Sequence, residues 1–404
     1  MGPADPAPLA GRRVPAAGET SALSVTRLTL TDFRNYDHLR LETGGAPVVL
    51  TGPNGAGKTN ILEAISFLVP GRGLRGAALQ AVGRRAADGA AGHPWAVAAR
   101  VDGPDGALDL GTGLLAPSRP GVRDRRAVHV AGEAARSQAV LAEHMSAQWL
   151  TPQMDGLFRE GPAERRRFLD RIVFTADPAH AGRITAYTHA LRERTRLLRA
   201  AAEAGRAPDD AWATVLEDTM VTKGMAVTAA RADVAHRLAD FAALDGPFPG
   251  ADIGLEGAVE GWLAGGAALD AEDRFRRALA GSRRRDAEVG GAQVGPHKSD
   301  LKVRHMGTGR LAEDGSTGEQ KALLIGMVLA AARLQREERG RVPVLLLDEV
   351  AAHLDPEKRL ALYDEIARLG AQAWYTGTDR MLFSGLETGA RFFAVEGGRV
   401  ELIS

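Results

Sequence analysis

The sequence predicts an α/β fold whose phosphate-binding head is split between the two ends of the chain. An antiparallel β subdomain belongs to the first half, and a helical arm without a long coiled coil is inserted between the halves. Three observations carry this expectation. The apolar run Val48 to Leu50 leads into "GPNGAGKT" and then "ILEAISFL", which reads as strand, glycine loop and helix. Near the other end, "VPVLLLDEV" is a fully apolar strand closed by Asp348 and Glu349. From about residue 155 to 245 the pattern turns helical and rich in Ala and Arg, without sustained heptads.

A chain of 404 residues has room for two or three domains. The expected division is a lead (1–22), the first half of the head (23–154), the arm (155–290) and the second half of the head (291–404). Cysteine is absent, which excludes a disulfide framework and a thiolate metal site and fits a cytoplasmic protein. No run of ~18 uncharged apolar residues is present, so no membrane span is expected. A net charge of zero removes the simplest case for nucleic-acid binding, a globally basic chain, and leaves local patches to consider. "ERRRFLDR" (Glu164–Arg171), "RERTRLLR" (Arg192–Arg199) and "GSRRRD" (Gly281–Asp286) each read either as a solvated helix face or as a contact surface.

Along the chain, the first ~22 residues are rich in Ala, Pro and Gly and lack the apolar core of a secretory signal, so a disordered lead is expected. "LSVTRLTLTDFRNY" alternates apolar and polar residues as a half-buried strand does. Residues 95 to 131 read as meandering strands broken by Gly, Pro and Asp. "AQAWYTGTD" reads as a buried strand and "RFFAVEGGRVEL" as a closing hairpin. Gly295-Pro296 in "QVGPHKSDLKV" signals a turn; His297 and Lys298 there are either structural or phosphate contacts.

The chemistry centres on Gly52, Pro53, Asn54, Gly55, Ala56, Gly57, Lys58 and Thr59, followed by Asn60. Glycines let successive backbone N–H groups turn toward phosphates, and the helix N-terminus adds partial positive charge. Lys58 is placed to reach the β- and γ-phosphates of ATP, and Thr59 with Asp348 to hold Mg²⁺. Glu349 is the candidate general base for an attacking water. A second turn, "DGSTGEQKALLIG", has Ser316 and Glu319 at capping-box spacing. The cap does not account for Gly318, a poor residue in a first turn unless something must approach the backbone. Asp355 followed by Pro356 reads locally as a helix N-cap.

"STGEQ" resembles the signature motif of ABC-type ATPases, with Thr317 at the first glycine position. The resemblance implies an ABC-type head in which Ser316, Gly318 and Gln320 meet the nucleotide of a second protomer. It implies a Q-loop role for Gln153, at the Mg²⁺ and the attacking water, and a cross-dimer contact for Asp355. The switch histidine of that superfamily is missing from "YTGTD", where Thr378 or Asp379 is the expected substitute. The interval between phosphate loop and signature is too long for a transporter ATPase and too short for the Rad50 type. "LTLTDFRNYDHLRLE", "PQMDGLFREGPAERRRFLDR" and "QVGPHKSDLKV" resemble the RecF family of bacterial repair ATPases. That resemblance implies a weak ATPase that dimerises on ATP, binds double-stranded DNA at gap junctions, and works with RecR and RecO to load RecA. It implies a cytoplasmic, nucleoid-associated protein with no membrane partner. The alternatives are a transporter's coupling subunit and a short relative of the chromosome-structure ATPases.

Overall fold

A computed structural model of the chain describes residues 22–84, 94–115 and 126–403. All but the last residue of the expected disordered lead therefore lies outside the described residues, as does part of the expected 95–131 meander. In chain order the first half supplies β1 (Ser24–Phe33), β2 (Tyr36–Glu42), β3 (Val48–Thr51), α1 (Lys58–Ser66), β4 (Trp95–Gly103), β5 (Gly106–Leu114), β6 (Arg126–Val130), β7 (Glu133–Ala134), α2 (Leu141–His144) and β8 (Ala147–Leu150). The middle supplies α3 (Pro162–Ala176), α4 (His180–Glu203), α5 (Asp210–Ala242), β9 (Ala251–Glu256), α6 (Ala258–Ala264) and α7 (Ala268–Val289). The last part supplies β10 (Asp300–His305), α8 (Thr317–Arg339), β11 (Val344–Leu347), α9 (Pro356–Leu369), β12 (Ala373–Gly377), β13 (Arg391–Glu396) and β14 (Arg399–Ile403).

Two sheets form the head. The antiparallel sheet has the order β2-β1-β4-β5-β6-β7, and the second has the order β14-β13-β3-β12-β11-β8. From β13 to β8 the second sheet is parallel, and β14 closes it antiparallel to β13, as the hairpin reading expects. Strands from both ends of the chain thus interleave, which joins the halves of the head. The central strands are apolar on both faces because both faces are covered. Alternate residues of β3, β11 and β12 point to opposite cores. Val49, Leu345, Leu347 and Tyr375 face a core shared with α3, α8 and α9. Val48, Leu50, Leu346 and Trp374 face a core that holds α1 and the inner side of the antiparallel sheet. In α8, "ALLIG" is buried on nearly every side except Gly326, as suits a helix inside the core.

The arm is continuous with the head. Val234, Ala235 and Leu238 of α5 join the core of α8, while Met220 and Val221 pack with Tyr187, Phe275 and Leu279 in a separate distal cluster. β9, in the segment read as the arm, pairs antiparallel with β10, in the segment read as the second half of the head. Buried ion pairs brace the distal helices: Arg194 bonds Glu217 and Asp286, each at 2.8 Å, and Arg231 forks onto Asp170 at 2.7 and 2.8 Å.

Candidate nucleotide-binding site

The phosphate loop leaves the C-terminal end of β3, the acids leave the end of β11, and Gln153 follows the end of β8. Open parallel sheets place ligands at these strand ends. Gly57 adopts φ +117°, and a Cβ there would lie 2.5 Å from both the Asn35 amide nitrogen and the Tyr36 hydroxyl. The "FRNY" turn therefore presses directly on the loop. Asn35 donates to Ala56 O at 3.1 Å and accepts from Asn60 at 2.7 Å. Behind them, fully buried Glu63 accepts from Arg34 and Arg75 at 2.6 to 2.9 Å. Asn60 thus has its side chain in the protein's own network, which also includes Arg75 at 2.7 Å.

Lys58 is 4% exposed and folds back on the loop, donating to Gly52 O at 2.7 Å and Pro53 O at 3.0 Å. Its ammonium lies 3.6 Å from a Glu349 carboxylate oxygen. Thr59 donates to Asp348 at 2.8 Å. A hydroxyl and a carboxylate in contact are hard oxygen donors of the kind Mg²⁺ takes, so this pair fits the ion. Glu349 sits at φ +55°, a left-handed conformation that few non-glycine residues adopt and that clusters at functional sites.

A residue missed in the sequence holds these acids together. The register Leu347 to Tyr375 sets Thr376 beside Asp348. Thr376 is 1% exposed; its hydroxyl donates to Asp348 at 2.7 Å and accepts from the Glu349 N–H at 2.9 Å. The available signal was a lone threonine at the end of a fully apolar strand. Of the two residues expected as switch substitutes, Thr378 is exposed, and Asp379 caps the next turn by accepting from Met381 N at 2.8 Å.

The signature turn is built as the capping box requires. Glu319 N donates to Ser316 Oγ at 3.3 Å, and Ser316 N donates to the Glu319 carboxylate at 2.7 Å. Gly318 is exposed, and a Cβ there would meet nothing within 4 Å. Internal packing therefore does not require glycine at this position. Gln320 is turned inward in this chain. It is 1% exposed, its amide nitrogen donates to Glu313 O and Gly315 O, and its oxygen accepts from Arg159 at 3.2 Å. It fastens the turn from inside, and the surface offered outward is Ser316, Thr317 and Gly318. Among the described residues, no hydrogen bond or ion pair joins residues 316–321 to the phosphate loop of the same chain.

The family model for the RecF/RecN/SMC N-terminal domain matches residues 24–400. The DNA replication and repair protein RecF of Mesorhizobium japonicum is 48% identical over 93% of this chain and 97% of its own length. The chain belongs to the RecF family. RecF of Caulobacter vibrioides is also 48% identical, over 91% of this chain and 95% of its own. A solved RecF structure, described as the recombination mediator protein RecF-ATPrS in the RecFOR pathway, shares the fold. It matches with a TM-score of 0.81 over 96% of this chain and 100% of that one, at 22% identity.

Three further segments of this RecF-family chain are placed by the structure. Gln153 is exposed in the short turn Pro152–Gly156 beyond β8. Asp355 caps α9, accepting from Lys358 N at 2.8 Å, and that bond holds its carboxyl below the usual range. The "VGPHKSD" passage is a structural knot between the arm helices and β10. Arg231 donates to Pro296 O at 2.6 Å and Arg166 to Ser299 O at 2.6 Å. His297 Nε2 lies 2.8 Å from Ala292 O, which can only accept, so this nitrogen carries the hydrogen. Nδ1 therefore accepts from the Tyr187 hydroxyl at 2.6 Å. Burial pushes the His297 pKa down to about 4.

Proposed function

We propose that this chain is an ATP-dependent DNA-binding protein of replication and repair, and that two copies close head to tail around two ATP molecules. The observation that carries this reading is the exposed signature turn. Gly318 opens onto free space, and among the described residues no hydrogen bond or ion pair ties the turn to its own phosphate loop. A second copy can supply the phosphate that such a turn fits.

In this reading residues 52–60 cradle the phosphates, with Lys58 exchanging its loop carbonyls for the β- and γ-phosphates. Thr59 and Asp348 hold Mg²⁺, whose role is to neutralise phosphate charge. Glu349 and Gln153 orient a water. Its oxygen bonds to the γ-phosphorus, the bond to the β-phosphate oxygen breaks, and Glu349 takes the proton. Ser316 and Gly318 close over the partner's γ-phosphate, and Asp355 contacts the partner. Shared phosphate contacts favour the closed pair because the open one lacks them.

Hydrolysis is weak, stimulated by DNA, and reopens the pair. The closed dimer clamps duplex DNA beside single-stranded gaps, chiefly through phosphates. RecR and RecO are the partners, RecA loading is the outcome, and the site of action is the cytoplasm at the nucleoid. The test is light scattering and duplex retention, each with and without a slowly hydrolysed ATP analogue. Dimer formation and salt-sensitive DNA retention should both require the nucleotide. A chain that stayed monomeric at saturating nucleotide and retained no duplex would overturn the reading.

A further inference from the structure

Between α4 and the segment that follows α7 lies an open groove of about 700 Å³. Its α4 wall carries Arg192, Arg196 and Arg199, all exposed, and its opposite wall carries exposed Lys298. The arginines recur at i, i+4 and i+7, so they share one helix face. They span about 10 Å at ~1.5 Å rise per residue, close to three ~3.4 Å steps of one nucleic-acid strand.

Four cations against one acid among the described residues of the groove separate this face from ordinary surface decoration. Arg194, on the opposite side of the same helix, is fully buried between two acids. Arg276 and Arg283 of the same lobe each hold acidic partners. Among the described residues, Arg192, Arg199 and Lys298 have no ion pair, and Arg196 has an exposed one with Glu193. Glu203 is the one acid lining the groove among the described residues. Its far wall is rigid: His297 is locked between Tyr187 and Ala292 O, and Lys298 N closes a turn onto Gly295 O at 2.9 Å. Arg199 lies across Gly290, where a Cβ would fall 2.1 Å from its guanidinium. That glycine leaves room for the arginine at the groove.

The geometry points to a binding groove for the phosphodiester backbone of duplex DNA, with Arg192, Arg199 and Lys298 as phosphate contacts. It rests on the DNA-clamp reading and gives part of the duplex a place on the arm. It also gives "RERTRLLR" and "VGPHKSD" a common purpose, one as the cationic wall and the other as the rigid mount for Lys298.

The test measures duplex affinity of the full chain with an ATP analogue across a salt series. The proteins are wild type, Arg192→Ala, Lys298→Ala, the Arg192→Ala/Arg199→Ala double variant, and Arg284→Ala, whose side chain is 95% exposed on α7. Each single groove variant should weaken binding and lower the salt slope by about 1, and the double variant by about 2. Arg284→Ala should match wild type, and nucleotide-driven dimerisation should be intact throughout. Should Arg199→Ala disturb the Gly290 packing, Lys298→Ala and Arg192→Ala still decide the matter. Wild-type slopes in both, alongside ATP-dependent binding by wild type, would overturn the groove and leave the clamp standing. Absence of DNA binding by wild type would remove both.

Discussion

Thr376 donates its hydroxyl hydrogen to Asp348 across 2.7 Å and, at the same oxygen, accepts from the N–H of Glu349. One buried side chain thus sets the positions of both acids at the candidate site. Thr376→Val keeps the shape and removes both bonds, leaving the part-buried Glu349 N–H without this partner. ATP hydrolysis should fall by roughly ten- to hundredfold while nucleotide affinity changes little, a kcat loss of about 1.4–2.7 kcal/mol in barrier. Thr376→Ser should restore most of the rate. A rate kept by Thr376→Val and lost in Thr376→Ser would assign Thr376 to packing alone.

Glu349→Gln should bind ATP and stay dimeric, because a neutral amide cannot take the proton of the attacking water. Light scattering after a chase with excess ADP reports this directly. A variant that dissociated as fast as wild type would remove Glu349 as the base.

Much of this site was legible in the sequence because its parts are local. "GPNGAGKT" between a strand and a helix, the acids at the end of an apolar strand, and "STGE" as a capping box each depend on near neighbours. Thr376 was not legible, since its role comes from the parallel register of β12 on β11. Nor was the inward use of Gln320, which depends on Arg159 from another segment. The knot at "VGPHKSD" is likewise a meeting of α3, α4, α5 and β10, brought together only by the fold. The β9–β10 pair escaped because two short strands far apart in sequence carry no hairpin signal.

Gly318→Glu separates folding from function at the signature. An acid in the first turn of a helix is favourable, and replacing Gly there adds about 0.5–1 kcal/mol of helix propensity. Thermal stability should hold or rise, and ATP binding by the monomer should be kept. Dimerisation on ATP should be lost, because the new carboxylate meets an incoming phosphate. A drop in monomer affinity for ATP would contradict a cross-protomer role.

His297 predicts an acid-sensitive arm. Its folded pKa of about 4 lies below the ordinary value of 6.5. The unfolded chain therefore binds the proton first as pH falls, so stability is fully present above about 6.5 and is lost toward 4, by up to about 3 kcal/mol. Denaturant unfolding across this range should show a shallower pH slope for His297→Asn than for wild type. Parallel slopes would show that another group governs the acid limb.

The most direct measurement mixes two inactive proteins. Lys58→Ala removes the phosphate-loop cation, and Gly318→Glu blocks the signature. If each site pairs one protomer's loop with the other's signature, a mixed dimer has one intact site, so combining the two should restore ATP hydrolysis that neither shows alone. If each chain completes its own site, both protomers stay dead, and a mixture with no activity beyond the sum of its parts would contradict the shared site.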